Sequence, residues 1–418
     1  MIDVVDICKR AKCASYKLAG YSTEQKNGML FAIARALRSE QNIAMLMREN
    51  ATDIENARKN GKDATFIDRL TLTDKRIATM IDGLEQVAAL GDPVGEIVEE
   101  RTLSNGLEIQ RVRAPLGVIG IIYEARPNVT IDAAALCLKS GNSVVLRGGK
   151  DAINSNRALH TIMTDAIKAI GLDADTVAFI DDPSRDASKV MLEQEEYIDV
   201  MIPRGGEGLK HFVLENAKMP VIASAGGNCH IYVEKTADVQ KAINIIVNAK
   251  VQRPSVCNAA EHLIVDKEIA DEFLPLAYKA LKDAHDVEII GDERAKAILP
   301  DIELATDKDF DTEFLGYKMS FAVVDGVEEA VDMINRYSTK HSEAIITNDA
   351  KAKDYFAKYV DAAAVYINAS TRFTDGFEFG LGAEMGISTQ KLHARGPVAL
   401  KELTSVKYVV TGNGQIRQ

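Results

Sequence analysis

The 418-residue chain has no basic excess: 50 Lys and Arg stand against 62 Asp and Glu, a formal net charge of -12. A general nucleic-acid binder needs positive charge to offset phosphate repulsion, so that class is excluded. A small anionic substrate stays open, because one local Arg or Lys dominates its own pocket. No apolar run reaches transmembrane length. The five cysteines, Cys8, Cys13, Cys137, Cys229 and Cys257, are odd in number and widely spaced, which argues against a disulfide framework. No CxxC or Cys/His cluster suggests structural zinc, and no metal is expected. Neither GxGxxG after the first αβ strand nor a Walker pattern occurs. The opening MIDVVDICKRAKCASYKLAG alternates charge and apolarity too early for a signal peptide, so a reduced, cytoplasmic protein is expected.

What remains is ordinary globular material, 46% apolar and 27% charged. The length suggests roughly two to four domains. Residues 2–50 read as two or three helices, with Ser22 and Gln25 placed to form a capping box. Residues 53–60 are more polar, Gly61 is a stop, and 74–90 is again amphipathic. At 94–112, two alternating runs flank Asn105-Gly106, a hairpin signal. Residues 406–411 form an isolated strand far along the chain that could join the hairpin in one small sheet.

From Leu116 onward, apolar runs alternate with helical ones. Strands are expected at 116–123, 143–146, 176–180, 198–202 and 220–223, with helices at 132–139, 156–170, 186–193 and 208–216. A second alternation follows residue 257. Its strands are at 262–265, 287–290, 320–324, 343–346 and 364–367, and its helices at 270–282, 327–337 and 350–359. Such alternation predicts two parallel α/β domains, and in the first the ligands should lie beyond the C-terminal strand ends.

The chemistry concentrates in Gln252-Arg-Pro-Ser-Val-Cys-Asn-Ala-Ala-Glu261, between a helical run at 238–249 and a strand. A thiolate attacks a carbonyl directly, and a nearby cation such as Arg253 lowers the thiol pKa. Cys137 instead lies in the apolar run AAALCLKSG and reads as core. Arg147-Gly-Gly-Lys150 and Pro203-Arg-Gly205-Gly206-Glu-Gly208 each follow a strand, where glycines let backbone N–H groups approach an anion. Each also fits a plain turn.

The segments YEARPNV, RGGK, SAGGN, VQRPSVCNAAE and EFLG together resemble the aldehyde dehydrogenase superfamily along essentially the whole chain. The resemblance implies an aldehyde dehydrogenase-like α/β fold: two Rossmann-like domains and a small protruding β element for oligomerisation. It implies a helical part of the cofactor domain at 1–93, the β-hairpin at 94–115 and an NADPH-binding domain at 116–229. The catalytic domain spans 230–370, a return segment with a cleft loop 371–401, and the last strand of the oligomerisation element 402–418. Cys257 would be the nucleophile and Asn128 an oxyanion donor beside the Cys257 N–H; an Asn there also suits a helix cap. Arg147, Lys150, Gly205, Gly206 and Glu313 would bind the cofactor. Lys150 stands where NAD-preferring members carry a glutamate, which favours NADPH/NADP+. Arg126 and Arg253 would meet the substrate, although Arg126 could equally tie down its loop. His393 and Arg395 follow the glycine-rich stretch, and His393 is more ordinary as a surface residue than as a base.

Ser224 stands where hydrolytic members carry the glutamate that activates water. A neutral serine is a poor general base. The likeness is therefore to the branch that exchanges its thioester with phosphate and reduces L-glutamyl 5-phosphate to L-glutamate 5-semialdehyde in proline biosynthesis. A homo-oligomer and a partnering glutamate 5-kinase would accompany it. The rival is a hydrolytic NAD(P)-dependent aldehyde dehydrogenase that makes a free acid.

Overall fold

The amphipathic N-terminal stretch folds as helices Val4–Leu18, Thr23–Leu37 and Glu40–Lys59 in a computed structural model that describes residues 3–417. The capping box is present: Ser22 Oγ accepts from the Gln25 N–H at 3.3 Å, and Gln25 Oε1 accepts from the Ser22 N–H at 2.9 Å. The third helix runs on through the polar stretch because Asp53 is buried, accepting from the Ser155 N–H and hydroxyl at 2.8 and 2.7 Å. Gly61, at φ 69°, lies just past its end in the left-handed region that glycine favours. No helix among the described residues is long and apolar enough to cross a membrane.

The residues divide into two units. One comprises the chain up to 223, with 380–386 and 398 onward; the other comprises 224–379 with 387–397. In the first, the hairpin strands Ile97–Thr102 and Glu108–Pro115 pair antiparallel across Asn105-Gly106. Strand Thr404–Thr411 pairs with Glu108–Pro115 along its whole length, so hairpin and tail share one sheet. Ile97, Val98, Tyr408, Val409 and Val410 are left exposed on it.

The same unit holds a parallel sheet in the order Val177–Phe179, Ser143–Gly148, Val118–Tyr123, Val200–Arg204. The chain switches direction between the last two strands, which opens a crevice at their C-terminal ends. The strand expected at 220–223 does not form. Val221 makes only an isolated bridge with Met201, through Met201 N–H to Pro220 O and Ile222 N–H to Met201 O, both 2.9 Å. Pro220 has no N–H with which to extend the ladder.

The second unit is built on a seven-stranded parallel sheet. Its order is Glu303–Leu304, Glu288–Gly291, Lys318–Val324, Ala260–Asp266, Cys229–Val233, Ser342–Ile346, Ala364–Ile367. The sequence reading has no strand at 229–233, yet this segment is central and wholly buried. Its polar residue is accommodated by a partner from the next strand: Glu343 Oε2 accepts from both the N–H and Nδ1 of His230, at 2.7 and 3.0 Å. Ile231, Val233, Leu263, Val265, Phe273 and Phe321 pack one core, and Tyr232, Ile264, Ala322, Ile345 and Phe356 another.

The cysteine loop joins helix Val239–Val251 to strand Ala260–Asp266. Lys250, in the last helical turn, and Glu261, at the strand start, form an ion pair across the two ends of that loop, both side chains fully buried. Glu261 Oε1 also accepts from the Leu315 N–H at 3.1 Å. Burial pushes the Glu261 carboxyl up and the Lys250 ammonium down, and the pairing opposes both shifts. Removing one partner leaves a buried charge without its counter-ion. Lys250→Met or Glu261→Gln alone should therefore cost about 3–5 kcal/mol. The double variant keeps an acceptor for Leu315 and should recover most of that loss in a denaturant titration. Simply additive losses would contradict the pairing.

Candidate active site

Of the cysteines, Cys8, Cys137 and Cys229 are buried, and burial pushes their thiols up, Cys8 to about 12. Such thiols are inert. Cys13 is exposed on the first helix. Cys257 alone is partly exposed on a loop, immediately before a central strand. Its carbonyl oxygen accepts from the Cys229 thiol at 3.2 Å. Asn258 fixes the next position: its Nδ2 donates to the carbonyls of Arg372 and Thr374 at 3.2 and 3.0 Å, and its own carbonyl accepts from Thr371 Oγ1 at 2.7 Å.

The sequence Ser224-Ala-Gly-Gly-Asn228 lies along the same loop. Gly227 runs so close to the Cys257 backbone that a Cβ there would overlap the Cys257 carbonyl. Glu313 joins the cluster from another segment, its Oε1 accepting from the Gly227 N–H at 2.7 Å and its carboxylate lying against Gly226. The structure thus brings Glu313 and Cys257 against the same glycine pair. Ser224 bridges Ser388 in antiparallel fashion, and the Ala225 N–H donates to Ile387 O at 3.3 Å. Asn228 is fully engaged, donating from Nδ2 to the carbonyls of Phe310 and Tyr337, both 2.9 Å, and pairing through Oδ1 with His262. These groups precede strands Cys229–Val233, Ala260–Asp266 and Lys318–Val324, so this site gathers at the N-terminal edge of its sheet.

Arg253 is exposed on the cysteine loop. A second cation, Arg372, enters from the short 3-10 turn Thr371–Phe373 and donates from Nε to Gln252 Oε1 at 3.0 Å. Burial, and then the Arg253 charge, lower the Arg372 pKa, while the Cys257 sulfur raises it. The sequence reading missed Arg372, since STRFTDG carries only turn chemistry. Arg395 donates to Asp361 at 2.7 Å, beside Lys391 at 2.9 Å and Lys340 at 3.2 Å. These cations hold the Asp361 carboxyl well below its usual range, so Arg395 serves that cluster. His393 is exposed at φ 67°.

In the first unit, the loop after Val118–Tyr123 meets the loop after Val200–Arg204 at the strand switch. The Glu124 N–H donates to Arg204 O at 3.1 Å, and Glu124 Oε2 accepts from the Gly206 N–H at 3.1 Å. Gly205 lies against the same carboxylate. An anion therefore already sits at the start of helix Glu207–Asn216, as a helix N-terminus favours. Arg126 and Asn128 are exposed on the same loop and at the start of helix Asn128–Lys139. Pro127, not Asn128, takes the N-cap position, and Asn128 Nδ2 donates to Asp132 at 2.9 Å. Arg147 is only 8% exposed and donates from Nη2 to the carbonyls of Pro183 and, at 2.8 Å, Ser184. Lys150 lines a cavity of about 300 Å³ with Asp53, Asn56, Lys59, Asn60 and Asp151.

The family model described as the aldehyde dehydrogenase family matches residues 2–293. Gamma-glutamyl phosphate reductase of Carboxydothermus hydrogenoformans is 54% identical over 417 residues, covering 100% of both chains. The Listeria innocua protein of the same name is 52% identical over 417 residues, again covering 100% of both. A crystal structure of gamma-glutamyl phosphate reductase from Thermotoga maritima matches with a TM-score of 0.98 at 46% identity, covering 100% of each chain. Full-length identity at this level means that the chain belongs to the aldehyde dehydrogenase family and, within it, to the gamma-glutamyl phosphate reductases.

Proposed function

We infer that the protein reduces L-glutamyl 5-phosphate to L-glutamate 5-semialdehyde and phosphate with NADPH, through a cysteine thioester, as a step of proline biosynthesis. The observation that carries this reading is the full-length match to the gamma-glutamyl phosphate reductases around a partly exposed Cys257. The Cys257 thiolate attacks the acyl carbon; the bond from that carbon to the phosphate oxygen breaks, and phosphate departs with the electron pair. After reduction of the thioester, the thiohemiacetal collapses, the C–S bond breaks, and the pair returns to sulfur with release of the aldehyde. The Cys257 N–H and the Asn128 amide are assigned to the developing oxyanion. Arg126 and Arg253 are assigned to the substrate. Ser224 brings no carboxylate to activate water, so the thioester is kept for phosphate.

NADPH supplies the hydride when bound. The residues fit such a cofactor: Lys59 and Lys150 wall a cavity, and the glycine turn already seats a carboxylate as it would a phosphate. We assign Lys150 to the 2'-phosphate and Gly205 and Gly206 to the pyrophosphate end. Arg147 supports the same end by bracing the 183–184 turn, and Glu313 serves the nicotinamide ribose. By the same reading, residues 1–93 and 116–229 form the cofactor domain, 230–370 the catalytic domain and 371–401 the return segment. The sheet of 94–115 and 402–418, with its exposed Tyr408, Val409 and Val410, is the seam of a cytoplasmic homo-oligomer. A glutamate 5-kinase is the natural supplier of the unstable acyl phosphate.

Alanine substitutions at the five cysteines test the nucleophile. Cys257→Ala should lower turnover by about 10⁴-fold or more with the fold intact, while Cys13→Ala should leave it near normal. Near-normal turnover in Cys257→Ala would sink the covalent mechanism. Lys150→Glu should move the NADPH-to-NADH ratio of kcat/KM toward NADH by about tenfold or more, less at high salt. An unchanged ratio would remove Lys150 from the 2'-phosphate site.

A further inference from the structure

Three features set Arg372 apart from the surface arginines. Its main chain is held against the nucleophile's neighbour, since Asn258 Nδ2 donates to its carbonyl at 3.2 Å. Its Nε is braced on Gln252 Oε1 at 3.0 Å, so the residue meets both ends of the loop that carries Cys257, Gln252 through its side chain and Asn258 through its main chain. Among the described residues, its two Nη groups have no hydrogen-bond or ion-pair partner. Asp375, a nearby carboxylate, is already used by its own turn, accepting from the N–H groups of Phe377 and Glu378 at 2.9 and 3.3 Å.

A guanidinium braced at Nε presents its Nη edge as a fixed two-pronged donor, the geometry that suits phosphate oxygens. In the substrate, the phosphate is bonded to the very carbon that sulfur attacks, whereas the α-carboxylate is at the other end of the carbon chain. A cation seated beside the nucleophile therefore meets the phosphate. The Cys257 sulfur raises the Arg372 pKa and the Arg253 charge lowers it, so Arg372 lies within electrostatic reach of both.

Resting on the functional reading above, we propose that Arg372 holds the phosphate of the acyl phosphate, and inorganic phosphate in the reverse direction, with Arg253 as the second cation. In the forward direction it stabilises the charge that gathers on the departing oxygen as the C–O bond breaks. In reverse, it delivers a phosphate oxygen to the thioester carbon; the new C–O bond forms, the C–S bond breaks, and the pair returns to Cys257. Asn258 and Gln252 are positioning residues that act through Arg372.

The test is steady-state oxidation of the semialdehyde by NADP+ at varied inorganic phosphate, with Arg372→Gln, Arg372→Lys and Gln252→Leu in the full chain. A lost charge-assisted bond should raise the KM for phosphate by about tenfold or more in Arg372→Gln, with the KM for NADP+ unchanged. Arg372→Lys keeps the charge without the fork and should fall between, and Gln252→Leu should show a smaller rise of the same kind. An unchanged KM for phosphate in the Arg372 variants, or a rise confined to the KM for the semialdehyde, would overturn the assignment. The two readings fail separately. If unmodified protein oxidised semialdehyde undiminished without phosphate, the acyl-phosphate reaction itself would fall. If phosphate were required but its KM ignored Arg372, only the Arg372 assignment would fall.

Discussion

The buried Lys250–Glu261 pair is the constraint from which the catalytic loop takes its form. The residues between its partners leave a helix, pass through Arg253 and Cys257, and enter the strand at Ala260. An ion pair with both side chains out of water holds only if the geometry is good and the remaining polar atoms are satisfied. Leu315 supplies that second bond, from the segment that also carries Glu313. One buried carboxylate thus ties together the helix end, the strand start and the segment that faces Gly226-Gly227.

Around this clamp, the loop is fixed by groups that spend their polarity on it rather than on solvent. Asn258 holds the 371–374 turn, Cys229 holds the Cys257 carbonyl, and Gly227 leaves no room for a side chain. The nucleophile is therefore held from several sides while its sulfur stays accessible. This is the preorganisation that covalent catalysis needs, since a misplaced thiolate loses its effective concentration at the acyl carbon. The same turn that Asn258 fixes carries Arg372, the residue proposed to hold phosphate, so its placement and that of Cys257 share one set of contacts.

Much of this was legible in the sequence, and what was not has physical reasons. The hairpin at Asn105-Gly106 and the strand at 404–411 alternate and carry a turn signal, so their shared sheet could be anticipated. Cys229–Val233 was not, because a strand buried on both faces shows no alternation and its His230 finds its partner, Glu343, only in a strand distant in sequence. Pro220 to Ala223 looked like a strand by composition, but Pro220 cannot donate to a ladder and one bridge is all that forms. In the site, Cys257 and Glu313, which both lie against Gly226-Gly227, were singled out from local words. Lys250, Glu261 and Arg372 were not, since each acts through a partner distant in sequence and has no distinctive neighbours of its own.

The central claim is that a thioester on Cys257 waits for phosphate, not water. The most direct measurement combines rapid-quench NADPH formation with intact-mass analysis, using semialdehyde and NADP+ with phosphate rigorously removed. A burst of about one NADPH per subunit, a single glutamyl adduct on Cys257, and discharge of that adduct when phosphate is added is the predicted result. Sustained NADPH formation without phosphate, with free glutamate accumulating and no adduct, would contradict it.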